Sequence, residues 1–199
     1  MKKRIFRTSL FAIVIVFGIW IYRLSGFSIE ESDLEKHMAE QFRKTENMKT
    51  GIEIEEIRDI GNYRTFLFSV HEGDMPDTDP KLGFAFYEKS RLGNKYRFDG
   101  IGWGTNPFDG YLFEASAGKK RNKFLVVYGR NPSESKEYER FEFHFHDETF
   151  VGNLPRKEYF VEVFPVTHHT KEGAVTEIHF ETRDHEVTSF PLPITSLIH

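Results

Sequence analysis

Seven of the nine histidines fall from residue 144 onward: His144, His146, His168, His169, His179, His185 and His199. His144 and His146 stand two apart, so on an extended strand both imidazoles leave the same face and reach one metal ion. His179, between Glu177 and Glu181, supplies the further ligands of a site that could hold zinc and activate a water for hydrolysis. The competing reading is a wet sheet face, where alternating charge and histidine are ordinary. Tyr159 to Thr167 intervenes between the two stretches and is expected to separate them in space.

A second constellation runs through Tyr96, Phe98, Trp103, Phe108, Tyr111 and Phe113, threaded with Gly100, Gly102, Gly104, Asp99, Asn106 and Asp109. Ring faces beside short polar groups stack on sugar or peptide surfaces and fix them by hydrogen bonds. Trp103 lies between two glycines, which points to a loop, and loops carry binding residues more often than strands do. The expected contact set is therefore Trp103, Tyr96, Asn106 and Asp109. Packing of most of these rings in a core is the alternative.

Other chemistries lack their parts. The chain has no cysteine, so thiol catalysis is out, and no serine stands in a Gly-x-Ser-x-Gly elbow. GIGWGTNPFDG has neither the dinucleotide-turn spacing nor a P-loop ending, and no cofactor is expected. The acidic loop with Asp74, Asp77 and Asp79 invites calcium, but counted from Asp77 the sixth position is Leu82, where an EF-hand needs glycine.

What must position these residues begins with an address. Lys2, Lys3, Arg4 and Arg7 precede an apolar run ending at Tyr22. A helix from Ile5 to Tyr22 would be about 27 Å long, close to the hydrocarbon thickness of a bilayer. Tyr22, Arg23 and Leu24 stand where a signal-peptide cleavage site needs small residues, so the segment reads as an uncleaved anchor. Four basic residues before it and Arg23 alone after it place the N-terminus in the cytoplasm and the remainder outside the cell membrane. The expected organisation is a cytoplasmic start and anchor over residues 1–26 and one extracytoplasmic domain over 27–199.

That outer part carries 22 basic and 31 acidic residues. Its negative balance offers nucleic-acid phosphates no general attraction, so the expected partners are the membrane, through the anchor, and an envelope protein or wall polymer. Ser28 and Glu31 form a capping pattern, and Leu34, Met38 and Phe42 recur every four residues, which predicts a helix from Ile29 to about Glu46. From Gly51 the apolar period becomes two. It predicts nine strands: 52–60, 63–71, 82–89, 95–100, 111–117, 123–129, 138–146, 159–167 and 175–183. Leu82 to Tyr87 and Phe124 to Tyr128 are apolar on both faces and should be central; Pro165 should fall on an edge. The fold class expected is α+β, with an N-terminal transmembrane helix and then one helix packed on a mostly antiparallel twisted sheet.

LGFAFYEKSRLGNKYRFDG, followed by KFLVVYGRN, resembles a pattern in small membrane-anchored extracytoplasmic proteins of bacilli and related Gram-positive bacteria. The resemblance implies a single-pass protein facing the envelope and carries over no catalytic residues.

Overall fold

In a computed structural model of the chain, the described residues are 26–46, 51–71, 81–90, 94–117, 120–131, 138–154, 157–166 and 174–196, with Ile15, Phe17 and Gly18. The anchor thus lies almost wholly outside the described residues, as do the loop of Asp74, Asp77 and Asp79 and the histidines His168, His169 and His199. Among the described residues no helix is long and apolar enough to cross a membrane.

The domain is mostly β, with two sheets where one was expected. A curled sheet of five antiparallel strands contains β1 (Ile29–Glu30), β2 (Gly51–Ile60), β3 (Tyr63–His71), β4 (Lys81–Lys89) and β5 (Lys95–Gly104), in the order β1-β5-β4-β3-β2. The other seven strands are β6 (Phe108–Ala117), β7 (Lys120–Arg130), β8 (Tyr138–Phe145), β9 (Glu148–Asn153), β10 (Tyr159–Val166), β11 (Ala174–Thr182) and β12 (Val187–Ser196). They run in the order β10-β7-β6-β12-β11-β8-β9 and curl into a nearly closed barrel. Its two edges approach through side chains: Phe150 of β9 and Phe164 of β10 have ring centroids 5.3 Å apart. Pro165 is on an edge strand, as its missing donor requires.

The helix α1 covers Leu34–Glu46, not Ile29–Glu46. Ile29 and Glu30 instead pair with Tyr96 and Lys95 as a short strand, and a 3-10 turn over Glu31–Asp33 leads into the helix. Ser28 is therefore no cap, and the Glu30 side chain at the start of the turn makes no capping hydrogen bond. The predicted stripe of Leu34, Met38 and Phe42 is buried.

Strand periodicity sorts the apolar residues into three layers. Phe66, Phe68, Val70, Ala85 and Tyr87 meet α1 on one face of the five-stranded sheet. From the other face Leu67, Leu82, Phe84 and Phe86 meet Phe113, Val126, Tyr128 and Val161 on the outside of the barrel wall. Phe108, Leu112, Leu125, Val127 and Phe160 turn inward against Phe141, Phe143, Phe145, Ile178 and Phe180 of the opposite wall. β4 and β7 are thus covered on both faces, as their unbroken apolar runs predicted. Each fully buried Phe contributes about 1.5–3 kcal/mol, so a Phe-rich chain holds these three apolar layers together without a disulfide.

Candidate functional site

β5 ends the five-stranded sheet and, through Thr105 to Pro107, hands the chain to β6 of the barrel. At that crossing the glycines of GIGWGTN take up a role that their spacing alone did not disclose. Trp103 is on a strand, not a loop. It points toward α1, with its ring 5.0 Å from that of Phe42. Gly102 and Gly104 alternate with it and face the barrel, where they leave room for side chains of β6. A Cβ on Gly102 would stand 2.0 Å from the Tyr111 hydroxyl, and one on Gly104 would stand 3.5 Å from Asp109 Oδ2. The first is the close approach that glycine inside a strand marks, whereas the second is ordinary van der Waals contact.

Asp109 and Tyr111 project from β6 on the side opposite Phe108 and Leu112 of the barrel interior, and Asp109 lies across from Tyr128 of β7. The rings of Tyr111 and Tyr128 are nearly parallel with centroids 5.9 Å apart, and Phe84 stacks on Tyr128 at 5.0 Å. Tyr128 is 1% exposed, and among the described residues its hydroxyl has no hydrogen-bond partner. The neighbouring Tyr111 hydroxyl acts on it without meeting bonding geometry. Asn106 Nδ2 donates to Asp109 Oδ1 over a long 3.4 Å. Burial pushes the Asp109 carboxyl up to about 6, with the Asn106 bond a smaller opposing influence. Burial likewise raises both tyrosines, so they stay protonated donors.

Of the expected contact set, Asn106 and Asp109 come together. Tyr96 does not join them: it is 1% exposed in the layer beneath α1, with Arg64 and Lys89 over its ring at 5.5 and 5.8 Å. Trp103 faces that same layer. In the sequence Tyr111 is only one ring of the aromatic constellation and Tyr128 only the end of a run apolar on both faces, so neither hydroxyl stands out as a polar group. The signal that could have found them is the glycine alternation on β5, which clears space for large side chains opposite.

The histidines separate differently. β8 and β11 are hydrogen-bonded neighbours, with His179 opposite Glu142, so the intervening β10 does not part them. His144 stays on the outer face, 2.9 Å from Thr149 Oγ1 and 3.6 Å from Glu142. His146 leaves it. It occupies the β8–β9 turn at a φ of 54°, and its ring packs edge-on against Phe145. His179 Nδ1 is engaged by Ser189 Oγ at 2.7 Å. Among the described residues no three His, Cys, Asp or Glu side chains are placed to share a metal ion.

One further grouping has the residue types of a nucleophilic triad. Ser69 Oγ donates to Glu55 Oε1 at 2.5 Å and lies 3.3 Å from His71 Nε2. Glu53 approaches that same Nε2 at 3.9 Å, so this contact does not orient the imidazole through its other nitrogen as a triad requires. Ser69 is fully buried. The group fixes the β2 bulge at Glu55, where the register with β3 shifts between Ile54 and Glu56.

Comparison with protein-family models, curated proteins and solved structures gave no match to the chain.

Proposed function

We propose that this protein is a binding or interaction module held against the outer face of the cell membrane by its N-terminal segment, with the Asn106–Asp109 crossing as its contact end. The supporting observation is the unspent hydrogen-bonding capacity there. Among the described residues a half-buried carboxyl has one long bond, and a fully buried tyrosine hydroxyl beside it has none. Buried polar groups are ordinarily paired, and an exception calls for a role. The basic start, the apolar run and the resemblance to membrane-anchored envelope proteins support the address. An envelope protein or wall polymer is the partner class within reach.

Cross-linking the full-length chain in intact cells tests this reading. A discrete adduct that forms with the wild type and with Arg140→Ala, but is lost with Asn106→Ala and Asp109→Asn, is the expected result. The address is checked with Thr149→Cys, since the chain has no other cysteine. A membrane-impermeant maleimide should label it in intact cells. Identical adducts in all variants, or a residue 149 shielded until lysis, would overturn the reading.

A further inference from the structure

His37 lies half-buried on the face that α1 turns to the five-stranded sheet, beside Leu34 and Met38. Its ring meets two strands: the Tyr87 ring of β4 lies edge-on at 5.8 Å, and the Phe98 ring of β5 lies at 5.6 Å. Both ring nitrogens are engaged. Nδ1 is 3.1 Å from the Tyr87 hydroxyl, and the Gln41 amide nitrogen, one helical turn on, is 3.1 Å from Nε2. An amide nitrogen only donates, so Nε2 accepts and Nδ1 carries the proton that it gives to Tyr87. That arrangement belongs to the neutral imidazole. A second proton, on Nε2, would set a donor against a donor. Reversing the Gln41 amide would answer that conflict, but not the loss of water around a cation set between the helix and two aromatic rings.

The charges around His37 do not compensate for that loss. Among the described residues those acting on it are Glu40 and Lys44, both on α1 and of opposite effect. β4 faces it with a phenol that burial keeps protonated, and β5 with an apolar ring. Burial is the largest influence and holds the imidazole below its ordinary 6.5. The contribution of His37 to docking is therefore complete above pH 6.5 and is lost as pH falls from there through the lowered folded value. What it helps to hold is the apolar stripe of α1: Leu34, Met38 and Phe42 are buried, and the Phe42 ring meets that of Trp103 at 5.0 Å.

We propose that His37, Gln41 and Tyr87 form an acid-sensitive clasp: with His37 neutral α1 stays closed on β4 and β5, and protonation of His37 shifts the helix toward an open state that uncovers Trp103 and the apolar stripe. The clasp is independent of the crossing's being a contact end.

The test is amide hydrogen exchange of the full-length chain at about pH 5 and about pH 7.5, corrected for the intrinsic effect of pH on exchange, with Val126 and Val127 of β7 reporting global opening. From pH 7.5 to pH 5, protection of the α1 amides from Met38 to Glu46 should fall about fivefold relative to that reference, the equilibrium worth of one hydrogen bond. His37→Gln cannot ionise and should keep α1 equally protected at both pH values. His37→Phe leaves a ring against Tyr87 and Phe98 and should behave likewise, so a folding defect in one variant leaves the other to decide. The His37 imidazole resonances of the wild type should titrate below pH 6.5. Burial also raises the carboxyls of Asp109, Glu55 and Glu162. Both variants retain these groups, so any pH effect of theirs survives the substitution. Equal α1 protection at both pH values in the wild type, a loss that persists in the variants, or a His37 titration at or above 6.5 would overturn the clasp.

Discussion

The layer between the two sheets has two ends, and they are finished in opposite ways. At one end Asn62, in the β2–β3 turn, donates to Glu88 Oε1 at 2.9 Å, accepts from the Ser116 backbone N–H at 2.5 Å and accepts from the Lys89 N–H through its own carbonyl at 2.6 Å. Glu88 also holds Arg97 at 2.5 Å, and Tyr63 donates to Asp99 at 2.9 Å. At the other end Asp109 has one long bond and Tyr128 none. The apolar material between is the same, aromatic rings from β4, β6 and β7. The first end is therefore a fastening between sheets, and the second keeps its polar groups at a cost in stability. Such a cost persists where a site uses it.

The contrast can be broken most strongly at the fastened end. Asn62→Ala strands the Ser116 N–H and removes the donor to Glu88, which should cost about 2–3 kcal/mol. In a domain of this size thermal unfolding should fall by roughly 4–12 °C. A loss below about 0.5 kcal/mol would show that the sheets are held by apolar contact alone.

At the other end the sign reverses. A carboxyl raised from 3.8 to about 6 by folding gives the folded state a relative advantage that is complete below pH 3.8 and disappears as pH rises through about 6. Asp109→Asn should match the wild type near pH 3.5 and exceed it above pH 6.5. About two units convert to roughly 3 kcal/mol; the part of the carboxyl still in water reduces the expected gain to about 1–2 kcal/mol. The check is denaturant unfolding of both proteins at several pH values, and a difference independent of pH would refute the burial of Asp109.

Much of this was legible in the sequence. Period-two apolar runs located nine of the twelve strands among the described residues, and runs apolar on both faces marked β4 and β7 as doubly covered. The alternations in β8 and β11 put their Phe and Ile residues inside and their charges outside. Three strands escaped for physical reasons. β1 is two residues long, and β9 carries Gly152, whose absent side chain makes room for Phe141 opposite. β12 holds Pro191 and Pro193, which argue against an interior strand. They are tolerated because its parallel pairing with β6 begins only at Ile194. Two sheets were read as one because alternation tells which residues share a face but not which face meets which. The same limit applies at the site. Asn106 and Asp109 stood out as polar residues among glycines and rings, whereas Trp103 was assigned to a loop because its flanking glycines resemble turn residues. Gly102 instead clears the way for Tyr111 of the other sheet, and its function is tertiary.

The finest division between the ends is a pair of single-oxygen deletions. Tyr63→Phe removes the donor to Asp99, and the carboxylate, itself partly open to solvent, recovers water in exchange. The cost should be about 1 kcal/mol, a typical net value for one hydrogen bond. Tyr128→Phe removes a hydroxyl that folding strips of water and gives no partner in return. Its ring still stacks between Phe84 and Tyr111, so packing is unchanged and the variant should lie within about 0.5 kcal/mol of the wild type or above it. Parallel denaturation of the two variants measures the difference directly. If Tyr128→Phe loses as much as Tyr63→Phe, that hydroxyl is satisfied in solution and the two ends are alike in kind. If it loses nothing, the oxygen contributes nothing to the fold, which leaves recognition at the crossing as the role that retains it.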